Sequence, residues 1–169
     1  TRHIRRQGAM RALLVAKIGE RAISDLQERA KVAWTPAETN VVADVTIDEP
    51  RDVGDGSLHV VLIDCGVKEN ILESLERRGV RVTVVPYDTP YSDIAALQPD
   101  GVLTSPGPGD PERAAPAADT IRAIIDDGVP YLGVCLGHQL LAHAIGATTS
   151  KLKYGHHGGN HPVLDIASG

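Results

Sequence analysis

The run Gly133-Val134-Cys135-Leu136-Gly137 sets a thiol between two glycines where a short apolar stretch gives way to a helical pattern. Gly-x-Cys-x-Gly at such a junction is the thiol counterpart of the serine nucleophile elbow. A sharp turn would force the cysteine into a strained backbone conformation and lift its side chain above a sheet. Glycines two before and two after remove the Cβ atoms that would collide in that turn. A helix N-terminus favours the anionic form of a sulfur placed there. The backbone N–H of Leu136 would be free to point at an oxyanion. Cys65 ends an apolar run too, but its flank, Asp64-Cys65-Gly66-Val67-Lys68, lacks the paired glycines, so it reads as a packing residue.

A second segment with chemical potential is Ser105-Pro106-Gly107-Pro108-Gly109-Asp110-Pro111. Two glycines between prolines make a stiff loop whose N–H groups can approach a ligand closely, a candidate second wall of an oxyanion hole. The histidines His156, His157 and His161 invite a metal hypothesis, but no carboxylate or cysteine accompanies them at ligand spacing, and the reading is no metal site. His138 could serve Cys135 as a base, yet it follows three residues on along the same helix and its side chain points to a different sector.

The elements that must position these residues are legible in the apolar pattern. Residues 59–64 form a short continuous apolar run, as expected of a strand buried on both faces. Residues 67–78 follow at helical spacing, with Val67, Ile71, Leu72 and Leu75 on one side and Gly79 as the stop. Strands are predicted over 80–85, 101–104 and 131–134, and helices over 117–127 and 136–145. This alternation predicts an α/β fold, a mostly parallel sheet with helices on both faces. Ligands of such sheets gather at the strands' C-terminal ends, so the loops after Asp64, Thr104 and Val134 are the ones that matter. Upstream, a helical start, an apolar strand-like run over 12–16, a helix over 22–32 and a β-branched run over 41–47 differ in texture. The polar stretch 50–57, with two glycines and a proline, reads as a linker between residues 1–49 and 58–169.

Bulk properties narrow the function classes. The 169 residues are 42% hydrophobic and 23% charged, the balance of a soluble globular protein, with no Phe and a core left to Val, Ile, Leu and Ala. A net charge of -5 gives no reason to expect nucleic acid. Arg2, Arg5 and Arg6 read as a solvated or subunit-contacting helix face. No apolar run approaches the ~18–20 residues of a membrane span. Two cysteines make no disulfide framework, which favours a reducing, cytoplasmic setting. Starting on Thr1, within an amphipathic pattern, the chain is expected to be a fragment or to begin after a removed segment.

Together these motifs resemble the class I (triad) glutamine amidotransferases, a flavodoxin-like α/β family. Residues 133–139 look like its nucleophile elbow and 105–111 like its oxyanion loop. The segment Asp64-Cys65-Gly66-Val67-Lys68-Glu69-Asn70-Ile71, together with 151–163, is similar to segments of carbamoyl-phosphate synthase small subunits. Residues 1–12 resemble the end of that subunit's N-terminal domain, which would make 58–169 a partial amidotransferase domain. The resemblance implies that Cys135 attacks the side-chain amide of L-glutamine and that ammonia passes to a large subunit, which uses ATP and Mg to make carbamoyl phosphate for arginine and pyrimidine synthesis. It implies no cofactor in this chain. It assigns Gly107 and Gly109 to glutamine binding, Gly107 and Leu136 to the oxyanion, and Gln139 to a substrate contact.

The family's catalytic His and Glu lie in a His-Pro-Glu motif well beyond the elbow, whereas this chain has His161-Pro162-Val163. Its Asn-His-Gly-aromatic stretch and an N-terminal-domain serine are also missing. The chain alone is therefore expected to be feebly active or inactive. The rival readings are an α/β binding module without catalysis, or the amidotransferase of another glutamine-dependent synthase.

Overall fold

The structure is a computed structural model that describes residues 2–8, 10–16, 19, 22–35, 38–153 and 164–168. The chain divides into two compact units, Thr35–Thr149 and a second made of Thr1–Trp34 with Ser150–Gly169. The second unit carries α1 (Arg2–Gln7) and α2 (Ile23–Lys31). Asp25 in the first turn of α2 and Arg29 and Lys31 in its last complement the helix dipole. No residue of α2 is buried. The apolar run at 12–16 forms no strand, because strand geometry needs an edge to pair with and these residues are mostly exposed.

Thr35–Thr149 is built on a five-stranded sheet: β1 (Arg51–Val53), β2 (Leu58–Asp64), β3 (Val80–Pro86), β4 (Gly101–Thr104) and β5 (Tyr131–Gly133). The order is β1-β3-β2-β4-β5, with β1 antiparallel to β3 and the other pairs parallel. The mostly parallel sheet is as predicted. The stretch read as a linker holds β1, whose Arg51, Asp52 and Val53 oppose Val84, Thr83 and Val82. An edge strand needs only one partner and one buried face, so polar residues suffice there.

Alternation along β2 decides the layering. Val61 and Ile63 face one core, and Leu62 faces the other. On the Leu62 side lies α3 (Glu69–Glu76), whose Leu72 is fully buried, with Ile71 and Leu75 packed beside it. Burying a side chain of that size stabilises by roughly 1.5–3 kcal/mol. The turn that follows the helix closes on Gly79, whose N–H donates to the Glu76 carbonyl (2.8 Å) and which takes φ +71, the left-handed conformation of a terminating glycine. The other side carries α4 (Tyr91–Ala96), α5 (Ala115–Asp126) and α6 (Leu136–Ala144), which contribute Ile94, Ile121, Ile124, Leu136, Leu140 and Ala144 to the core. Ile145, the last residue of the predicted helix 136–145, is 63% exposed because α6 has already ended at Ala144.

The β-branched run 41–47 is a series of turns rather than a strand. It is held by tertiary contacts: Val42 is buried, the Thr46 hydroxyl donates to the Asp64 carbonyl (2.7 Å), and Ile47 N–H donates to the Asp64 carboxylate (2.9 Å). From β2 the chain moves to β3 on one side, and β4 lies on the other. The parallel order therefore reverses between β2 and β4, where ligand crevices of such sheets form.

Candidate active site

Cys135 lies between β5 and α6 with φ 54 and ψ -107, one of two described non-glycine residues at positive φ. Holding such a backbone costs of order 1–3 kcal/mol and persists only where surroundings enforce it. The surroundings here are explicit. Val134 N–H donates to the Thr104 carbonyl at the end of β4 (3.0 Å), and Gly137 N–H donates back to the Val134 carbonyl (3.0 Å). His138 and Gln139 N–H both donate to the Cys135 carbonyl (3.1 and 3.2 Å), which starts α6 directly on the strained residue.

Both flanking glycines are required by contact. A Cβ on Gly133 would lie 2.4 Å from the Gly137 carbonyl oxygen, and one on Gly137 would lie 2.4 Å from the Thr104 carbonyl oxygen. The pair thus lets the first turn of α6 press onto β5 and β4 at backbone contact. The Cys135 side chain is exposed, whereas Leu136 anchors the turn in the core.

The glycine-proline loop after β4 meets this turn. A Cβ on Gly107 would fall 2.2 Å from the Cys65 carbonyl oxygen and 2.7 Å from Leu136 Cδ2, so the loop packs between the end of β2 and the start of α6. Gly66, at φ +116, faces Pro108 and Gly107 from the loop after β2. Asp64 sets that loop: its buried carboxylate accepts from Gly66 N–H (2.9 Å) and Val67 N–H (2.7 Å) as well as from Ile47. Ser105, also buried, accepts from Cys65 N–H (2.9 Å) and donates to the Pro106 carbonyl (2.8 Å). Asp64 and Ser105 fall in segments singled out in sequence, but neither side chain had a role there. The one available signal was Asp64 two residues before Gly66, the spacing of an Asx turn.

Residues 61–168 match the family of class-I glutamine amidotransferases. The chain belongs to that family. It is 46% identical over 168 residues to the carbamoyl phosphate synthase small chain of Methanopyrus kandleri, an alignment covering 98% of this chain and 46% of that protein. It is 44% identical over 176 residues to that of Archaeoglobus fulgidus, covering 100% of this chain and 47% of the relative. Against the Pseudomonas putida small chain the identity is 55% over 118 residues, covering 70% and 31%. The chain spans about half the length of the first two.

Within this class I amidotransferase domain, the structure brings Gly107, Leu136 and the Cys135 backbone together. Gly109 stands at φ +91 on the exposed limb of the same loop, and Gln139 is exposed on the first turns of α6. His138 is exposed as well, and no described residue hydrogen-bonds the Cys135 thiol. Positions 154–163, which include His156, His157 and His161 and much of the small-subunit-like segment, lie outside the described residues. Among the described residues no helix is long and apolar enough to cross a membrane.

Cys65 is the opposite of Cys135. It is fully buried, and burial first, then the Asp64 carboxylate, push its thiol from 9.0 up to about 12. Because the folded value lies above the unfolded one, the thiol contributes stability that is present below about pH 9 and lost as the pH rises toward about 12. Cys65→Ala should therefore flatten the fall in urea midpoint between pH 8.5 and about 10.5 relative to wild type. A fall of equal slope in both proteins would count against the assignment.

Proposed function

We propose that this chain carries the glutamine-hydrolysing site of a carbamoyl-phosphate synthase small chain. The observation that carries the reading is Cys135, exposed, strained to φ 54 and seated at the N-terminus of α6 beside the Gly107 loop. In this reading the Cys135 sulfur adds to the side-chain amide carbon of L-glutamine. The oxyanion that forms would be met by the N–H groups of Leu136 and Gly107, while Gly109 and Gln139 contact the substrate. Collapse expels ammonia, which needs a proton, and leaves a glutamyl thioester that water cleaves to glutamate.

The proton would come from the histidine of the family's His-Pro-Glu motif, since His138, on the same helix three residues on, makes no hydrogen bond to the thiol. Ammonia would pass to a large subunit that holds the ATP and Mg and makes carbamoyl phosphate in the cytoplasm, for arginine and pyrimidine synthesis. Residues 1–49 would be the end of a preceding N-terminal domain.

A chloroketone shaped like glutamine tests the assignment. At neutral pH the full-length protein should be alkylated stoichiometrically at Cys135, with Cys65 untouched and glutamine protecting. Peptide mapping that finds the label on Cys65, or on neither cysteine, would sink the reading.

A further inference from the structure

Tyr131 opens β5, and strand alternation puts it on the same face as Gly133, toward α6. Its ring packs with the cluster that contains Leu136 and Leu140. The hydroxyl goes further and donates to the Gly137 carbonyl at 3.3 Å. That peptide is the one against which the bare Gly133 is pressed, and Gly137 itself rests on Thr104. One peptide in the first turn of α6 is therefore gripped from β5 by two residues of one face, one lacking a side chain and one reaching up with a hydroxyl.

Filling this position needs only an apolar ring, and a hydroxyl taken from water costs free energy unless it is bonded. Burial pushes the phenol well above its usual range, and the neighbouring Thr104 hydroxyl draws it part of the way back. Tyr131 thus remains a neutral donor through ordinary pH. The Thr104 hydroxyl is buried and meets no partner with hydrogen-bond geometry, so the Gly137 carbonyl is the acceptor the phenol uses.

We propose that Tyr131 is a positioning residue for the nucleophile: by holding the Gly137 carbonyl it fixes the first turn of α6, and with it the strained Cys135 backbone and the Leu136 N–H. The inference rests on Cys135 being the nucleophile, as proposed above. A tilt of this turn would move the sulfur and one oxyanion donor together, relative to a substrate that the Gly107–Gly109 loop continues to hold. Loss should therefore fall on turnover rather than on binding.

The test is Tyr131→Phe in the full-length protein. Glutamine turnover (kcat) should fall about five- to twentyfold with KM within about twofold, because a misplacement of ~1 Å can cost ~100-fold and one bond among several is lost. The maximal rate of Cys135 alkylation by the chloroketone should fall in parallel, with its stoichiometry unchanged. Tyr91→Phe, which removes the hydroxyl bond to Asp127 between α4 and α5, should leave kcat unchanged. Wild-type kcat in Tyr131→Phe, a raised KM alone, or a loss matched by fewer titratable sites would overturn the inference while leaving the function standing. A wild-type protein that neither hydrolyses glutamine nor labels at Cys135 overturns both.

Discussion

Cys135→Ala should abolish glutamine hydrolysis by the full-length protein, by at least about a thousandfold, while leaving its fold intact. The other cysteine cannot replace the thiol: Cys65 is fully buried, with its thiol held neutral far above physiological pH. Nor does the sulfur support the core, because the Cys135 side chain is exposed and makes no hydrogen bond to a described residue. The stability measurement carries a second expectation. At φ 54 and ψ -107 alanine inherits the strain of cysteine, whereas glycine does not. Cys135→Gly should thus be more stable than Cys135→Ala by about 1 kcal/mol in urea unfolding, with both variants inactive. Such a pattern marks a residue kept in an unfavourable conformation for what its side chain does. Residual turnover above about 1% of wild type would move the chemistry to another group.

How much of this site could be read from sequence depended on whether a residue's role is local. The elbow was legible because its logic is carried by residues two apart: Gly133 and Gly137 are bare where a Cβ would strike neighbouring backbone. The strands β2, β3 and β4 were legible because a parallel strand covered on both faces must be continuously apolar. The short helix α4 was missed, since six residues after Pro90 bury only Ile94 and offer no period. The run 41–47 misled for a related reason. Its β-branched residues suggest a ladder, but Thr46 and Ile47 spend their hydrogen bonds on Asp64, seventeen or eighteen positions away. Tyr131 and Ser105 look like ordinary strand and loop residues until the distances to Gly137 and Cys65 are known. The candidate nucleophile announces itself in sequence through its flanking glycines, and Tyr131 and Ser105 do not.

The loop that packs between Cys65 and Leu136 makes the other large prediction. Gly107→Ala should lower kcat about a hundredfold or more and destabilise the domain by about 1–3 kcal/mol. The added methyl would fall 2.2 Å from the Cys65 carbonyl oxygen, 2.9 Å from Cys65 Cβ and 2.7 Å from Leu136 Cδ2. Only the Leu136 contact is with the end of a flexible side chain; the carbonyl belongs to backbone fixed by Ser105 and by the end of β2. The loop must therefore retreat, and the Gly107 N–H retreats with it from the position an oxyanion would occupy. Two comparisons separate this from general damage. Gly109→Ala, on the exposed limb at φ +91, should cost stability through backbone strain but affect kcat much less. Adding Leu136→Ala to Gly107→Ala should not restore turnover, because it relieves the side-chain clash and leaves the carbonyl clash in place. Rescue by that second change would show that the loop acts on α6 by packing alone. A Gly107→Ala enzyme within about threefold of wild type would remove the loop from the site altogether.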